Sequence, residues 1–314
     1  MARTFETLSA PEKLTEAELE AYEKLVPPHK EDAIDIEGFI DLYGQETVQK
    51  DKSRVEELEQ KFEDSLKSTP EIAEYQKRGE LLEAILTEQI ELEDWMGGDA
   101  QTITPSRYDD IVNGVDLMVE FENEGGFIKH LALSIDATTS RHEISRKIDQ
   151  IRRDIQKDHL TTIKYFASEE TGFRGELREV PRVIVGADVN TIRELAGLWL
   201  NLGKAKEKRT ELEKDLGVDS PEVERVRGEI RSLRTRLGEH RVQFQILEEI
   251  KLQLEYFIKL SETQGKKDIE SKYKNALDTI SAILAEKNIE LSEEEQKKIE
   301  RDRVYQTILK EISY

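Results

Sequence analysis

Apolar residues recur along this 314-residue chain at two different periods, and the changes of period divide it into segments. Glu12 to Leu25 carries a short helical pattern ended by Pro27-Pro28, and Ile36, Phe39, Ile40 and Tyr43 recur at helical spacing. Both segments are suited to dock on the main body or on a partner. Residues 51–96 read as helix, interrupted near Ser68-Thr69-Pro70, where Thr69 serves as N-cap and Pro70 as the first helical residue. Ile72, Tyr75, Gly79, Leu82, Ile85, Leu86 and Ile90 then form one apolar stripe, which stops at Gly97-Gly98. Past Tyr108 the period shortens. Gly114-Val-Asp116-Leu-Met-Val-Glu-Phe121 and Phe127-Ile-Lys-His-Leu-Ala-Leu-Ser-Ile-Asp136 are runs of strand length around a Gly125-Gly126 turn, the pattern of a β-hairpin.

The next segments alternate. A helix is predicted from Arg141 to Lys157, with Ile144, Ile148, Ile151 and Ile155 on one face. A strand from Thr161 to Ala167, a Gly-containing turn from Glu169 to Gly175 and a strand from Val180 to Gly186 follow, with Pro181 at the strand's start. A helix from Val189 to about Leu202 completes an α/β core with a mixed sheet. Beyond it, Val223, Val226, Ile230, Leu233 and Leu237 keep a 3,4,3,4 rhythm, which Leu195, Leu198, Leu202, Ala205, Leu212 and Leu216 also follow. Gly217-Val-Asp-Ser-Pro221 separates the two seams, so they read as an antiparallel coiled-coil hairpin. Three helices follow, at about 240–260, 267–287 and 293–312, the last opened by a Ser292-x-x-Glu295 capping box. The expected organisation is an acidic helical extension (1–70), an α/β core (71–202), a coiled-coil arm (203–240) and C-terminal helices (241–314), the first of them packing on the core.

Charge adds an asymmetry. The formal net charge is −21, yet residues 1–110 hold 12 Lys/Arg against 29 Asp/Glu, leaving the rest close to balance. An acidic chain is a poor general binder of nucleic acid. However, 141–182 holds ten Lys/Arg against eight Asp/Glu, a local face able to meet phosphate. The chain has no cysteine, which excludes disulfides, Cys-ligated zinc, iron–sulfur clusters and thiol catalysis. It lacks a signal-peptide pattern at Met1–Ser9 and any run near the ~20 apolar residues of a membrane span. A cytoplasmic protein without membrane contact is expected. Walker-type, GxGxxG and GxSxG motifs are absent, so ATPase, dinucleotide-enzyme and α/β-hydrolase readings have no support.

The candidate chemistry lies in the hairpin. Asp116 is ten residues before Gly126 and Asp136 ten after it, which puts the two carboxylates nearly opposite on one face. Like charges so placed destabilise a sheet. Asp116, set among Val115, Leu117, Met118 and Val119, is costly there unless partnered. A cation supplies the missing reason. Asp136 also suits a simpler role, capping the turn that follows it, and Glu83 is one of several acidic residues on its helix. Asp109 and Asp110 read as turn residues before the strand, with a supporting ligand role as the alternative.

Gly79-x-x-x-Glu83, Gly114-Val-Asp116 and Asp136-Ala-Thr138, in this order of helix and hairpin, resemble the PD-(D/E)XK nuclease superfamily over roughly residues 71–200. The resemblance implies a restriction-endonuclease-like mixed sheet flanked by helices. It also implies divalent-metal-dependent cleavage of phosphodiester bonds in DNA or RNA. Asp116 and Asp136 would be ligands of Mg²⁺ or Mn²⁺, with Glu83 auxiliary. The family's Lys is Thr138 here, and Lys147 on the following helix is the stand-in. The alternative is a catalytically inactive protein of nuclease fold, acting as a structural or interaction module. Its coiled-coil arm would bind a second copy or another protein.

Overall fold

Thr15 opens the first helix, α1 (Glu16–Glu31), through a reciprocal capping box with Glu18. Pro27 and Pro28, expected to end that helix, lie inside it. Proline's fixed φ suits a helix even though its N–H is lost. Just beyond, His29 and Lys30 each lie 2.9 Å from a carboxylate of a neighbouring helix, Glu83 and Glu80, which holds the last turn in place. In this computed structural model the described residues are 13–68, 70–122, 128–136 and 141–313. Side chains are described at all of these except 65, 66, 68, 70–72, 128, 132–136, 141 and 142. The expected cap Thr69, the Gly125-Gly126 turn, Ala137 and Thr138 therefore lie outside the described residues, as do the side chains of Ile72 and Asp136.

A 3-10 turn (Ile36–Phe39) and α2 (Ile40–Tyr43) dock on the main body, Phe39 and Tyr43 each meeting the Tyr165 ring edge-on at 5.4 Å. Two long helices follow, α3 (Gln45–Ser68) and α4 (Pro70–Glu93). Leu82, Ile85, Leu86 and Ile90 of the predicted stripe are buried in the main core. The extension is part of that core too. Arg78 of α4 is wholly buried and donates to Glu18 of α1 at 2.7 Å, and Glu18 also accepts from Arg193 at 3.3 Å.

The chain continues through β1 (Ala100–Ile103), α5 (Arg107–Asn113), β2 (Leu117–Glu122) and β3 (Ile128–Asp136). Then come α6 (Arg141–Gln156), β4 (Thr161–Ala167), β5 (Arg174–Val180) and β6 (Arg182–Gly186). One sheet has the order β1-β2-β3-β6, the first two pairings antiparallel and β3–β6 parallel. β4 and β5 form a separate antiparallel ribbon. The mixed α/β architecture is as the periods predict, and Ile144, Ile148, Ile151 and Ile155 of α6 are all buried. β1 and β5 depart from the prediction. β5 spans the end of the expected turn and residues 176–179, for which no strand was expected; its Arg-Gly-Glu-Leu-Arg-Glu-Val pairs along β4 with mostly exposed or half-buried side chains. A ribbon with so little buried face leaves little apolar alternation to read.

The next helix, α7 (Val189–Leu216), runs unbroken from the core into the predicted hairpin. α8 (Pro221–Gly238) returns against it, capped by Ser220, with Val223, Val226, Leu233 and Leu237 buried along the seam. α9 (Val242–Thr263) covers the open edge of β6 with polar side chains at i, i+4 and i+8. Gln253 accepts from the Ile184 amide at 2.9 Å and donates to its carbonyl at 2.6 Å. Glu249 accepts from the Gly186 amide at 2.9 Å, and Gln245 donates to the Gly186 carbonyl at 3.2 Å. These three side chains satisfy an edge that a further strand would otherwise take. The last elements are α10 (Lys267–Lys287), α11 (Glu293–Arg301) and α12 (Arg303–Ile312). The single helix expected over 293–312 is broken at Asp302, whose carboxylate caps α12 and accepts from the Asp188 amide at 2.9 Å. No helix of the described residues is long and apolar enough to cross a membrane.

Candidate active site: an acidic cluster of α4, α5 and the start of β2

Glu80 and Glu83 are one turn apart on α4 and so share a face, which looks onto the end of α1. Glu80 is well partnered, accepting from the Tyr22 hydroxyl at 2.5 Å and pairing with Lys30 at 2.9 Å. Glu83 Oε1 lies 2.9 Å from Nε2 of the buried His29.

The second element is α5. Ser106 caps it, accepting from the Asp109 amide at 3.2 Å. Asp109 is wholly buried and accepts from the Lys164 and Tyr165 amides at 2.7 and 3.0 Å, which pins α5 to β4. Asp110, roughly 100° further round the helix, belongs to the cluster instead and is ion-paired with Arg107. Arg107 in turn reaches Glu59 of α3 at 2.7 Å. Gly114 ends α5 at φ +67, a left-handed conformation that glycine adopts without strain. Its amide bonds the Asp110 carbonyl at 3.0 Å, and Arg182 donates to the Asn113 carbonyl at 2.6 Å. This turn leads into Asp116, whose charge acts on Asp110.

Burial pushes the Asp110 carboxyl up to about 8; Asp116 and Glu83 add to this, against Arg107 and Lys30. Burial also raises Glu83 well above the usual carboxyl range, reinforced first by Asp116 and then by Glu80. Three carboxyl groups from three elements therefore act on one another. They remain reachable from solvent: the Glu83 and Asp110 side chains are 20% and 30% exposed. Nothing in any known family model, curated protein or solved structure matches this chain.

Against the sequence expectations, Glu83 and Asp116 are brought together. Asp116 is not within a strand, however, but in the bend just before β2. The α5 helix and its Gly114 cap use up the preceding residues, so pairing begins at Leu117. The β2–β3 register matches Leu117 with Leu133, which centres the hairpin one residue earlier than expected. Carried one step on, it sets Asp116 beside Ser134, with Asp136 two residues further in the same alternation rather than opposite. Both positions lie at the same end of the sheet, where Asp136 is beside Gly186 of β6. Lys147 is half-buried on α6. The cations acting on Glu83 and Asp110 are Lys30 and Arg107, which sequence reasoning missed, as it missed His29, while Asp109 and Asp110, expected in a turn, lie inside α5. One signal was available. Ser106-x-x-Asp109 is a helix-start pattern that assigns Asp109 to the cap region and turns Asp110 to another face.

Oxygen-rich and without thiol or clustered imidazole, the donor set suits a hard divalent cation. Among the described residues, no three His, Asp or Glu side chains close into a group able to hold a metal ion.

Proposed function

We propose that the chain is a divalent-metal-dependent nuclease acting on DNA or RNA, with the acidic cluster as its active site, on a fold of the PD-(D/E)XK kind. The observation that carries this reading is the mutual action of Asp116, Glu83 and Asp110. Carboxylates crowded and desolvated in this way oppose one another's ionisation, and a cation is what makes their placement favourable. The order of elements supports it as well: a helix bearing Glu83, an antiparallel hairpin, a crossover helix and a strand parallel to β3.

In this reading Asp116 and Asp136 are the ligands of Mg²⁺ or Mn²⁺, Glu83 is auxiliary, and Asp110 adds a fourth carboxyl. A bound divalent cation lowers the pKa of water and offsets charge on the scissile phosphate. Arg107 and Lys30 limit the negative charge that a phosphodiester meets at the cluster. Lys147 is the candidate to orient the attacking water in place of the Lys that Thr138 replaces.

The test is calorimetric titration of Mg²⁺ and Mn²⁺ into the wild type and the Asp116→Ala/Asp136→Ala double variant, then cleavage assays on single- and double-stranded DNA and RNA. Saturable binding and cleavage in the wild type alone are expected. If neither cation binds and none of the four substrates is cut, the nuclease reading fails.

A second reading has its own support. The family's Lys is Thr138 here, and the net charge is −21. These favour a nuclease-fold protein without chemistry, whose α7–α8 arm binds a partner. Absence of cleavage combined with a defined complex through the arm would establish it.

A further inference from the structure

A cleft of about 660 Å³ opens on another part of the molecule, between α7, the end of α8, the α8–α9 junction and α11. That volume falls in the range of small-molecule sites. Arg193, Arg236, Arg241 and Lys298 line it, with His240 and three glutamates. At its centre Glu194 is paired with Arg241, with His240 at 3.5 Å and with Lys298 at 3.4 Å. His240, then Arg241 and Lys298, hold its carboxyl down to about 2, against the effect of burial. The cleft thus already stabilises one oxyanion in a chain whose net charge is −21.

Two further observations point to a ligand. Arg241 is 6% exposed; its Nη2 donates to Thr191 Oγ1 at 3.2 Å, but its Nε has no partner. A buried guanidinium nitrogen left without an acceptor is unfavourable. Gly197, also lining the cleft, sits in the middle of α7, where glycine is ~0.5–1 kcal/mol worse than alanine. A Cβ there would meet nothing within 4 Å, so no packing contact within the protein requires glycine. Its effect is to leave the cleft floor open.

We propose that this cleft binds a small molecule through a phosphate monoester. The phosphate would sit on Arg236 and Lys298, and the rest of the ligand would lie over Gly197. A phosphate dianion offers three acceptor oxygens to several donors, a better match to this cation set than a lone carboxylate. Glu194 keeps the Arg241 fork in position. This site is separate from the acidic cluster and does not depend on nuclease chemistry.

Calorimetry on the full chain with AMP, ribose 5-phosphate, inorganic phosphate and succinate, at matched ionic strength, tests the proposal. Saturable binding of AMP or ribose 5-phosphate is expected, with succinate at least tenfold weaker. Arg236→Gln, at an exposed position, should weaken the phosphate ester about tenfold without changing the melting temperature. Gly197→Ala should weaken it several-fold while raising the melting temperature, a pairing that a purely structural glycine does not produce. The proposal is overturned if neither ester binds saturably, if succinate binds as tightly, or if both variants keep wild-type affinity. Saturation by inorganic phosphate alone would reduce the cleft to an adventitious ion site and would also overturn it.

Discussion

Glu83 and Glu249 are both pushed well above the usual carboxyl range, mainly by burial, yet their surroundings are opposite. Around Glu249 the neighbours are donors: the Gly186 amide at 2.9 Å and Gln245 Nε2 at 3.0 Å. Asp302 is the chief charged group raising it further. Around Glu83 the neighbours that raise it are Asp116 and Glu80, with His29 Nε2 at 2.9 Å as its hydrogen-bonding partner, and a fifth of its side chain is open to solvent. The same direction of shift therefore marks a satisfied structural group in one place and a crowded carboxyl open to solvent in the other. A pKa shift identifies crowding; the inventory of donors and the route to solvent distinguish the two cases.

The sharpest way to break this comparison is to remove a buried carboxylate that has charged partners. Glu18→Ala leaves the wholly buried Arg78 without its anion and should destabilise the fold by about 3–5 kcal/mol, read by chemical denaturation. The Arg78 hydrogen bond is the chief lowering influence on the Glu18 carboxyl, outweighing burial together with the other partners. Its stabilisation is accordingly present above the ordinary carboxyl pKa and lost as pH falls through the lowered folded value. A near-neutral effect would mean that α1 is only loosely attached.

Next in size, Glu249→Ala strands the Gly186 amide and should cost about 2–3 kcal/mol, whereas Glu249→Gln, which keeps an acceptor oxygen, should cost under about 1. Equal losses in the two variants would show that charge, not hydrogen bonding, matters there. Gly114→Ala must adopt φ +67 and would place its Cβ 3.3 Å from Arg182 Nη1. A loss of about 1–2 kcal/mol is expected, with metal binding reduced because Asp116 is displaced.

The smallest effect has the opposite sign. Asp110 has a raised folded pKa, so the folded chain binds a proton that the unfolded chain has released. The stability linked to it is present below about pH 4 and has been lost once pH has risen through about 8. Asp110→Asn should therefore melt higher than wild type at pH 8, by roughly 1 kcal/mol, and converge with it near pH 4. A variant that is less stable at pH 8 would place Asp110 with the structural carboxylates.

The sequence made different parts of this visible to different degrees. The α6 stripe and the 3,4,3,4 seam were legible because each buries one continuous face, which writes its period into the residues. The α9 ladder of Gln245, Glu249 and Gln253 was not, because those polar side chains answer to the backbone of β6, a partner more than fifty residues earlier. Within the cluster, Glu83 and Asp116 could be named from local motifs. His29, Lys30 and Arg107 could not, since tertiary packing alone brings the end of α1 to α4, and Asp110 was named only beside Asp109, from which its helix turns it away.

The unbroken helix α7 has a mechanical consequence. Its 28 residues form a rod of roughly 42 Å at 1.5 Å per residue. One end is at the exposed Leu216 near the arm tip, and the other is fixed by the Asp188 cap just after β6. Asp188 follows Gly186 by two residues, and Gly186 lies beside Asp136 in the sheet. A load on the tip is thus carried as leverage to the strand end that bears the candidate ligand, with no hinge glycine in the left-handed region along the way.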